Sequence, residues 1–567
     1  MQIRRVEIKR FRGIKELTWN VNGPINCLIG PGDSTKSTVL SAIEYTLSSR
    51  WRIDINDSDF HNGNTDEPIV IVVTVGALPD GFKSDNKFGL YLRGWDGTTL
   101  HDEPEQADEL VMSVQLMVDK SLEPKWSVIN DRQMEGRTIS ASDRDTFGIV
   151  RIGDYLDRHL TWTTGSALAR LTEKGDDLTL LLASIARLAR SSIPSTNLPK
   201  FQSAATEVTT ISKAMGVRPR ESFQPHLDIK SVDVSAGALS LHDGDIPVRL
   251  AGMGTRRLIT FAIQQKAVAN GAIALIDEVE TGLEPHRLRR LIRNLRKEFS
   301  AQGASSAGRG QLFATTHSPT VVDELPCTEL RIVRNRGGNI NIEQVDENAQ
   351  KTVRRAPEVF LSNNIVVCEG VTEIGLCRAL DIWWLEHDAY DPLALKGVSL
   401  ADGNGKNSEQ FVLAMAKIGY SVAFFGDSDR VLNPTQATLE SAGATVILWG
   451  GNLCLEQRAM DDLPWAGVQE LLLIAINQWR TEDKIRAATC GTLSLDKATL
   501  RPPISEWKDT PELRRALGLA AKGGAWFKDA DLGEQFGQVV TKHLPSIPTT
   551  NLATTIVKLR TWIDSHG

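Results

Sequence analysis

The sequence predicts an α/β chain of at least two domains, and three observations carry that prediction. A glycine loop, Gly30-Pro31-Gly32-Asp33-Ser34-Thr35-Lys36-Ser37, follows the apolar run Asn26-Cys27-Leu28-Ile29. Two further apolar runs, Ala272–Ile276 and Gln311–Thr315, end in Asp277-Glu278 and in His317. Past Asn363 a new alternation of strands and helices begins, in which carboxylates stand where strands end.

At 567 residues the chain exceeds the length at which one hydrophobic core stops growing. With 41% hydrophobic and 24% charged residues it is of ordinary globular composition, so disorder is a poor reading of the whole. A net charge of -7 excludes a uniformly basic nucleic-acid coat but leaves room for a local basic channel. Six scattered cysteines, with no CxxC pair, fit a reducing compartment and no structural zinc. The start, MQIRRVEIKRF, lacks the apolar stretch of a signal peptide, and no apolar run is long enough to span a bilayer. A cytoplasmic protein with no membrane partner is expected.

In order along the chain, Val6 and Ile8 alternate in a first strand and a second ends at Ile29, before the glycine loop and a helix to about Leu47. Runs such as IVIVVTV, LYLRGW and VMSVQLMV predict an antiparallel region over 69–126. Residues 151–225 turn helical and amphipathic, an insertion that suits a dimer contact or plain core packing equally. Strands are expected at LDIKSVDVS and GALSLHD, and a flexible loop at 301–310. A hairpin is expected around Arg336-Gly337-Gly338-Asn339, and a linker over 346–362. The domains so drawn are 1–150, 151–225, 226–355 and 360–567.

The loop at Gly30 has the spacing of a phosphate cradle between a buried strand and a helix. Backbone N–H groups of Gly30, Gly32, Asp33, Ser34, Thr35 and the helix start at Thr38 would hold phosphates. Lys36 would reach the β and γ oxygens and Ser37 would ligate Mg²⁺. Thr35 stands where the pattern has glycine, and a β-branched residue resists left-handed backbone. Asp277 suits a Mg²⁺ partner, Glu278 a residue orienting water, and His317 a γ-phosphate sensor. Blandly read, Asp277-Glu278 caps a helix and His317 is a core histidine.

Because Asp277 lies so far downstream of Lys36, the arrangement resembles the ABC-type ATPase heads of SMC, RecF and related DNA-repair proteins. Within that resemblance Leu250–Arg257, with Gly252 and Gly254, stands where the signature motif belongs, and Thr281–His286 where the D-loop belongs. Such heads close on nucleotide as dimers, which implies a homodimer or higher assembly and ATP as cofactor.

After residue 363, Glu369 ends one strand and Glu373 lies in the next helix's first turn, while Asp427 and Asp429 sit together at a later strand tip. Converging acids would repel one another without a cation, so Mg²⁺ or Mn²⁺ is the natural occupant. This order resembles the TOPRIM fold, a Rossmann-like parallel sheet found in topoisomerases, primases and certain nucleases. With the ATPase head in front, the chain resembles the OLD (overcoming lysogenization defect) nucleases, which include the nuclease subunit of the Gabija antiphage system.

Glu369 and Glu373 match that family's EGxxE, and Asp427 and Asp429 its DxD. Asp402 stands near an acidic loop position, Glu456 matches a later ligand, with Glu482 and Asp496 competing for that place, and Lys528 matches a lysine facing the scissile phosphate. The plain alternatives are solvated turn acids and an ordinary surface lysine. The resemblance implies an ATP-regulated DNA endonuclease with paired ions about 4 Å apart, acting in antiphage defence, alone or with a UvrD-like helicase. A non-catalytic ATP-dependent clamp or sensor is the rival reading.

Overall fold

The computed structural model describes the chain apart from residues 51, 134, 153–156, 158–159, 164–165, 167, 169–181, 183, 186, 189–198, 224–238, 269–272, 301–309, 348–349, 389, 479–480, 494–499, 501–502 and 567. Much of the expected helical insertion, the expected strand at LDIKSVDVS, the loop at 301–309 and Asp496 lie outside the described residues. The helix Pro199–Ala214 is described.

Two compact units interleave along the sequence: Met1–Arg12, Asn20–Ile25 and Ser37–Thr315 form one, and Gly13–Trp19, Asn26–Lys36 and Thr316–Gly567 the other. This division does not follow the linear one drawn at 355–360. The cause is strand pairing, because Cys27, Leu28 and Ile29 pair in parallel with Leu330, Arg331 and Ile332.

In the first unit, Val150–Ile152, Ile273–Ile276 and Gln311–Thr315 run parallel. Ile273–Ile276 and Gln311–Thr315 are buried along their whole length, which is why they read as unbroken apolar runs. The expected antiparallel region is present: Ile69–Gly76 pairs with Gln2–Phe11 and with Glu109–Val118, which pairs with Pro124–Ile129. LYLRGW differs, since Gly89–Tyr91 is a 3-10 turn and only Arg93–Trp95 is strand.

In the second unit, Leu330–Arg336 and Asn339–Gln344 form the expected hairpin, with Gly337 and Gly338 at positive φ in the two-residue turn. The expected linker is instead ordered structure. A helix, Gln350–Arg355, and a 3-10 turn, Pro357–Leu361, bury Val353, Val359 and Phe360.

A separate sheet of four parallel strands follows, in the order Val398–Asp402, Asn364–Cys368, Ser421–Gly426, Thr445–Leu448. The order reverses direction between Asn364–Cys368 and Ser421–Gly426, so the crevice for ligands in such a sheet opens at the carboxyl ends of these two strands. The register sets Cys368 opposite both Phe425 and Asp402. Glu369 and Asp427 therefore leave adjacent strands at that crevice. The helix Val371–Asp388 is fixed behind it by glycine contact with the helix Ala530–His543. A Cβ on Gly375 would stand 2.1 Å from the backbone carbon of Gly533. Trp384, Trp449, Phe425, Phe527 and Phe536 fill the core around this sheet.

Candidate functional site

The glycine loop Gly30–Lys36 lies in the second unit. Gly30 takes φ 140°, and a Cβ there would meet the Val333 carbonyl oxygen at 2.6 Å, so only glycine fits between strand and hairpin. Thr35 does adopt the left-handed conformation, at φ 70°, as does Asp33 at 56°. Lys36 is 5% exposed, and its ammonium donates to the carbonyls of Gly30 (3.0 Å) and Pro31 (2.7 Å) and to Ser34 Oγ (3.0 Å). The loop is thus curled around its own cation, at the place where phosphate oxygens would otherwise be the partners. Gly32 and Asp33 are exposed, and Thr38 is half-buried.

The first unit holds the carboxylate half. Asp277 Oδ1 accepts from Ser37 Oγ at 2.8 Å and from Thr315 Oγ1 at 2.6 Å. Its Oδ2 pairs with Arg151 at 2.8 Å, and Arg151 also bonds Glu44 at 2.9 Å. Sequence reasoning missed Arg151, a single arginine on a short strand remote from every motif. Glu278 is exposed at φ 44°, its N–H held by Thr315 Oγ1 at 2.8 Å. Gly254 lies against Gly282, whose carbonyl oxygen a Cβ would approach to 2.3 Å, so the two expected ATPase loops do pack together. Gly252 has open space around it, and Leu250 and Met253 beside it are exposed. In the second unit His317 follows the end of its strand on an exposed stretch.

The acidic centre lies wholly in the second unit. Glu369 Oε2 accepts the Asp427 N–H at 2.9 Å, which locks the two strand ends together. Glu373, 5% exposed in the first helical turn, accepts the Gly370 N–H at 3.0 Å. Asp427 Oδ1 accepts the Leu455 N–H at 2.9 Å, tying it to the start of the helix Leu455–Asp462 that carries Glu456. Glu456 is 3% exposed, and its Oε1 has no hydrogen-bond partner.

Burial is the largest influence on these acids, and mutual repulsion adds to it. Asp427 is pushed up to about 8 by burial, then by Glu369 and Glu456. Glu373 is driven well above the carboxylate range by burial, then by Asp427 and Glu456. Glu369 is raised by burial and by Asp429, against the pull of the Asp427 N–H and Arg430.

Two cations that sequence reasoning did not single out meet this cluster. Arg430 bonds Glu369 Oε1 at 3.1 Å and also pairs with fully buried Glu409. Lys522 pairs with Asp429. Arg430 directly follows the DxD, a signal that could have found it; Glu409 reads in the sequence as a helix-start charge. Lys528, expected to face the scissile phosphate, is exposed beyond the end of the helix Pro511–Gly524, and the lysine standing at the cluster is Lys522, in the last turn of that helix. Asp402 ends the neighbouring strand and pairs with Arg355 at 3.3 Å. Glu482 pairs with Arg486 on a separate helix.

Glu369, Glu373, Asp427 and Glu456 thus face one crevice with fewer cations than carboxylates. A buried carboxylate oxygen without a donor, beside repelling acids at strand ends, fits a divalent cation as the missing charge. Asp427, Asp429 and Cys454 bring one ligand atom each within 4.8 Å of one another.

Residues 185–323 match the family described as "AAA domain, putative AbiEii toxin, Type IV TA system", a span that takes in Asp277, Glu278 and His317. No curated protein matches the chain. Similar solved structures include an SMC head bound to the C-winged helix domain of ScpA, at 14% identity and a TM-score of 0.33, over 61% of this chain and 99% of that one. The SMC head domain from Thermotoga maritima gives 12%, 0.28, 61% and 100%. The Pyrococcus furiosus Smc head with an extended coiled coil, bound to the C-terminal domain of ScpA, gives 14%, 0.34, 63% and 99%. Among the described residues no helix is long and apolar enough to cross a membrane.

Proposed function

We propose that the chain is an ATP-regulated, divalent-metal-dependent endonuclease acting on DNA, of the OLD type with a TOPRIM centre. The observation that carries this reading is the convergence of Glu369, Glu373, Asp427 and Glu456 on one crevice, with the Glu456 Oε1 unpartnered. Glu369, Asp427 and Asp429 would hold one ion, and Glu373 and Glu456 a second. Bound there, Mg²⁺ or Mn²⁺ would supply an activated water and charge neutralisation at the leaving oxygen of a phosphodiester.

The chain's own residues have distinct tasks in this reading. Arg430 holds Glu369 in place and keeps Glu409 compensated. Lys522, by its contact with Asp429, stands where a backbone phosphate would enter and is the better candidate than Lys528 for steadying it.

ATP binding is assigned to the loop at Gly30–Lys36, with Ser37 and Asp277 holding Mg²⁺ and Glu278 and His317 acting at the γ-phosphate. The match of residues 185–323 to an AAA family supports that half. In the second unit a cavity of about 750 Å³ is lined both by loop residues 31–34 and by residues 419–421 of the small sheet. Gly419, Tyr420 and Ser421 stand at the amino-terminal end of the strand Ser421–Gly426, the end opposite Asp427. Exposed Leu250 and Met253 suit burial against a second copy of the chain.

Supercoiled plasmid incubated with the full chain and Mg²⁺ or Mn²⁺, with and without ATP, tests the reading. Metal-dependent nicking that is lost in Glu369→Ala is expected. A wild-type chain that cuts under no metal or nucleotide condition refutes the nuclease and favours an ATP-dependent clamp.

A further inference from the structure

Cys454 has no part in the reading above, yet it lies inside the acidic centre. It ends the loop that follows the fourth strand of the small sheet and immediately precedes the helix Leu455–Asp462. Its side chain is 1% exposed. The thiol sulfur, one oxygen of Asp427 and one of Asp429 all lie within 4.8 Å of each other, a spacing that a single ion can bridge. Its position is fixed from both sides: the Cys454 N–H donates to Gln457 Oε1 at 3.3 Å, and the next N–H, of Leu455, donates to Asp427 at 2.9 Å.

A lone thiol near acids would mean little by itself. The second observation is Glu456, two residues on: 3% exposed, with Oε1 lacking any hydrogen-bond donor, and close enough to Asp427 to raise its carboxyl. A buried oxygen left without a donor beside two carboxylates and a thiol calls for positive charge, which a cation would supply.

Resting on the metal-centre reading, we infer that Cys454 is itself a ligand of the ion held by Asp427 and Asp429, so that this position takes a divalent transition ion in preference to Mg²⁺. Sulfur is a soft donor. Mg²⁺ selects hard oxygen ligands and octahedral water, whereas Mn²⁺, Co²⁺, Zn²⁺ and Cd²⁺ accept sulfur with increasing favour. On binding, the S–H bond would break, the metal–sulfur bond would form, and the thiol proton would pass to solvent; no electron changes hands. The site would then be of mixed oxygen and sulfur character, whereas the ion assigned to Glu373 and Glu456 would have oxygen ligands alone.

Co²⁺ titrated into the nucleotide-free full chain reads this directly, since only a thiolate ligand gives the intense sulfur-to-cobalt charge-transfer absorption in the near ultraviolet. The expected result is that band in the wild type, at one sulfur per ion, and its loss in Cys454→Ser with Co²⁺ still bound. Cd²⁺ affinity should also fall about tenfold or more in Cys454→Ser, with a smaller change for Mn²⁺. Co²⁺ bound by the wild type without the band overturns the thiol assignment and leaves the carboxylate centre standing. Failure of the wild type to bind Co²⁺ at all overturns the metal centre and the thiol assignment together.

Discussion

Replacing Asp427 by asparagine should make the metal-free protein more stable while removing its capacity for metal. In the structure the Asp427 carboxyl is pushed up to about 8, first by burial and then by Glu369 and Glu456. A carboxyl in the unfolded chain ionises near 4, so between about pH 4 and about pH 8 the folded state keeps a proton that the unfolded chain has lost. The group therefore weakens the fold progressively as pH rises through that window, and by a constant amount above it. At about 1.4 kcal/mol for each pH interval the full term approaches about 5 kcal/mol at pH 8, and solvent reaching half-buried Asp427 screens it to about 2 kcal/mol. Asparagine keeps the acceptor for the Leu455 N–H and carries no charge to repel Glu456. Asp427→Asn should then raise the melting temperature of the chelator-treated protein by about 5 °C at pH 8 and by almost nothing near pH 4.5. Scanning calorimetry at the two pH values checks it. A gain of equal size at both, or a loss at pH 8, refutes the reasoning that charge repulsion is stored at this strand end.

Three further outcomes follow from the same geometry. Mn²⁺ affinity should rise by at least about tenfold per pH unit between pH 6 and 8, because the ion must displace the proton that Asp427 holds up to about 8; calorimetric titration measures it, and a flat profile contradicts it. Thr35→Gly should relieve the left-handed backbone at φ 70°, stabilising the loop by about 1 kcal/mol and tightening ATP binding, read as a lower Kd by fluorescent-nucleotide titration. Gly375→Ala should destabilise by about 3 kcal/mol or more in chemical denaturation, because its Cβ would lie 2.1 Å from the Gly533 backbone, which cannot yield as a side chain would.

The parts of the site that the sequence made legible are those in which one short stretch carries both an element and its chemistry. The strand Asn364–Cys368 with Glu369 and Glu373, and the strand Ser421–Gly426 with Asp427 and Asp429, are of this kind, because a buried parallel strand is apolar throughout and its ligands must stand at its end. The same holds for the loop from Gly30, where the left-handed strain at Thr35 followed from its β-branched side chain. The hairpin turn at Gly337-Gly338 was legible for the same local reason.

What the sequence hid was compensation between distant residues. Arg151 answers Asp277, Arg430 answers Glu369 and Glu409, and Lys522 answers Asp429, each from an element whose local pattern says only that a charged side chain sits there. Lys528 lies just past the end of the helix Pro511–Gly524, and only packing shows that Lys522, within that helix, is the lysine that meets Asp429. Residues 346–362 read as a linker because their polar composition masks three buried anchors, Val353, Val359 and Phe360.

The account's central claim is that Glu369, Glu373, Asp427 and Glu456 are gathered around charge that the protein itself does not supply. Electron paramagnetic resonance of Mn²⁺ added to the nucleotide-free full chain at pH 8 measures this most directly, by the loss of the free-ion signal. Saturable uptake is expected for the wild type, and little or none for the doubly substituted Glu373→Gln, Asp427→Asn chain, with both proteins folded. Equal uptake by the two proteins, or none by the wild type, contradicts it.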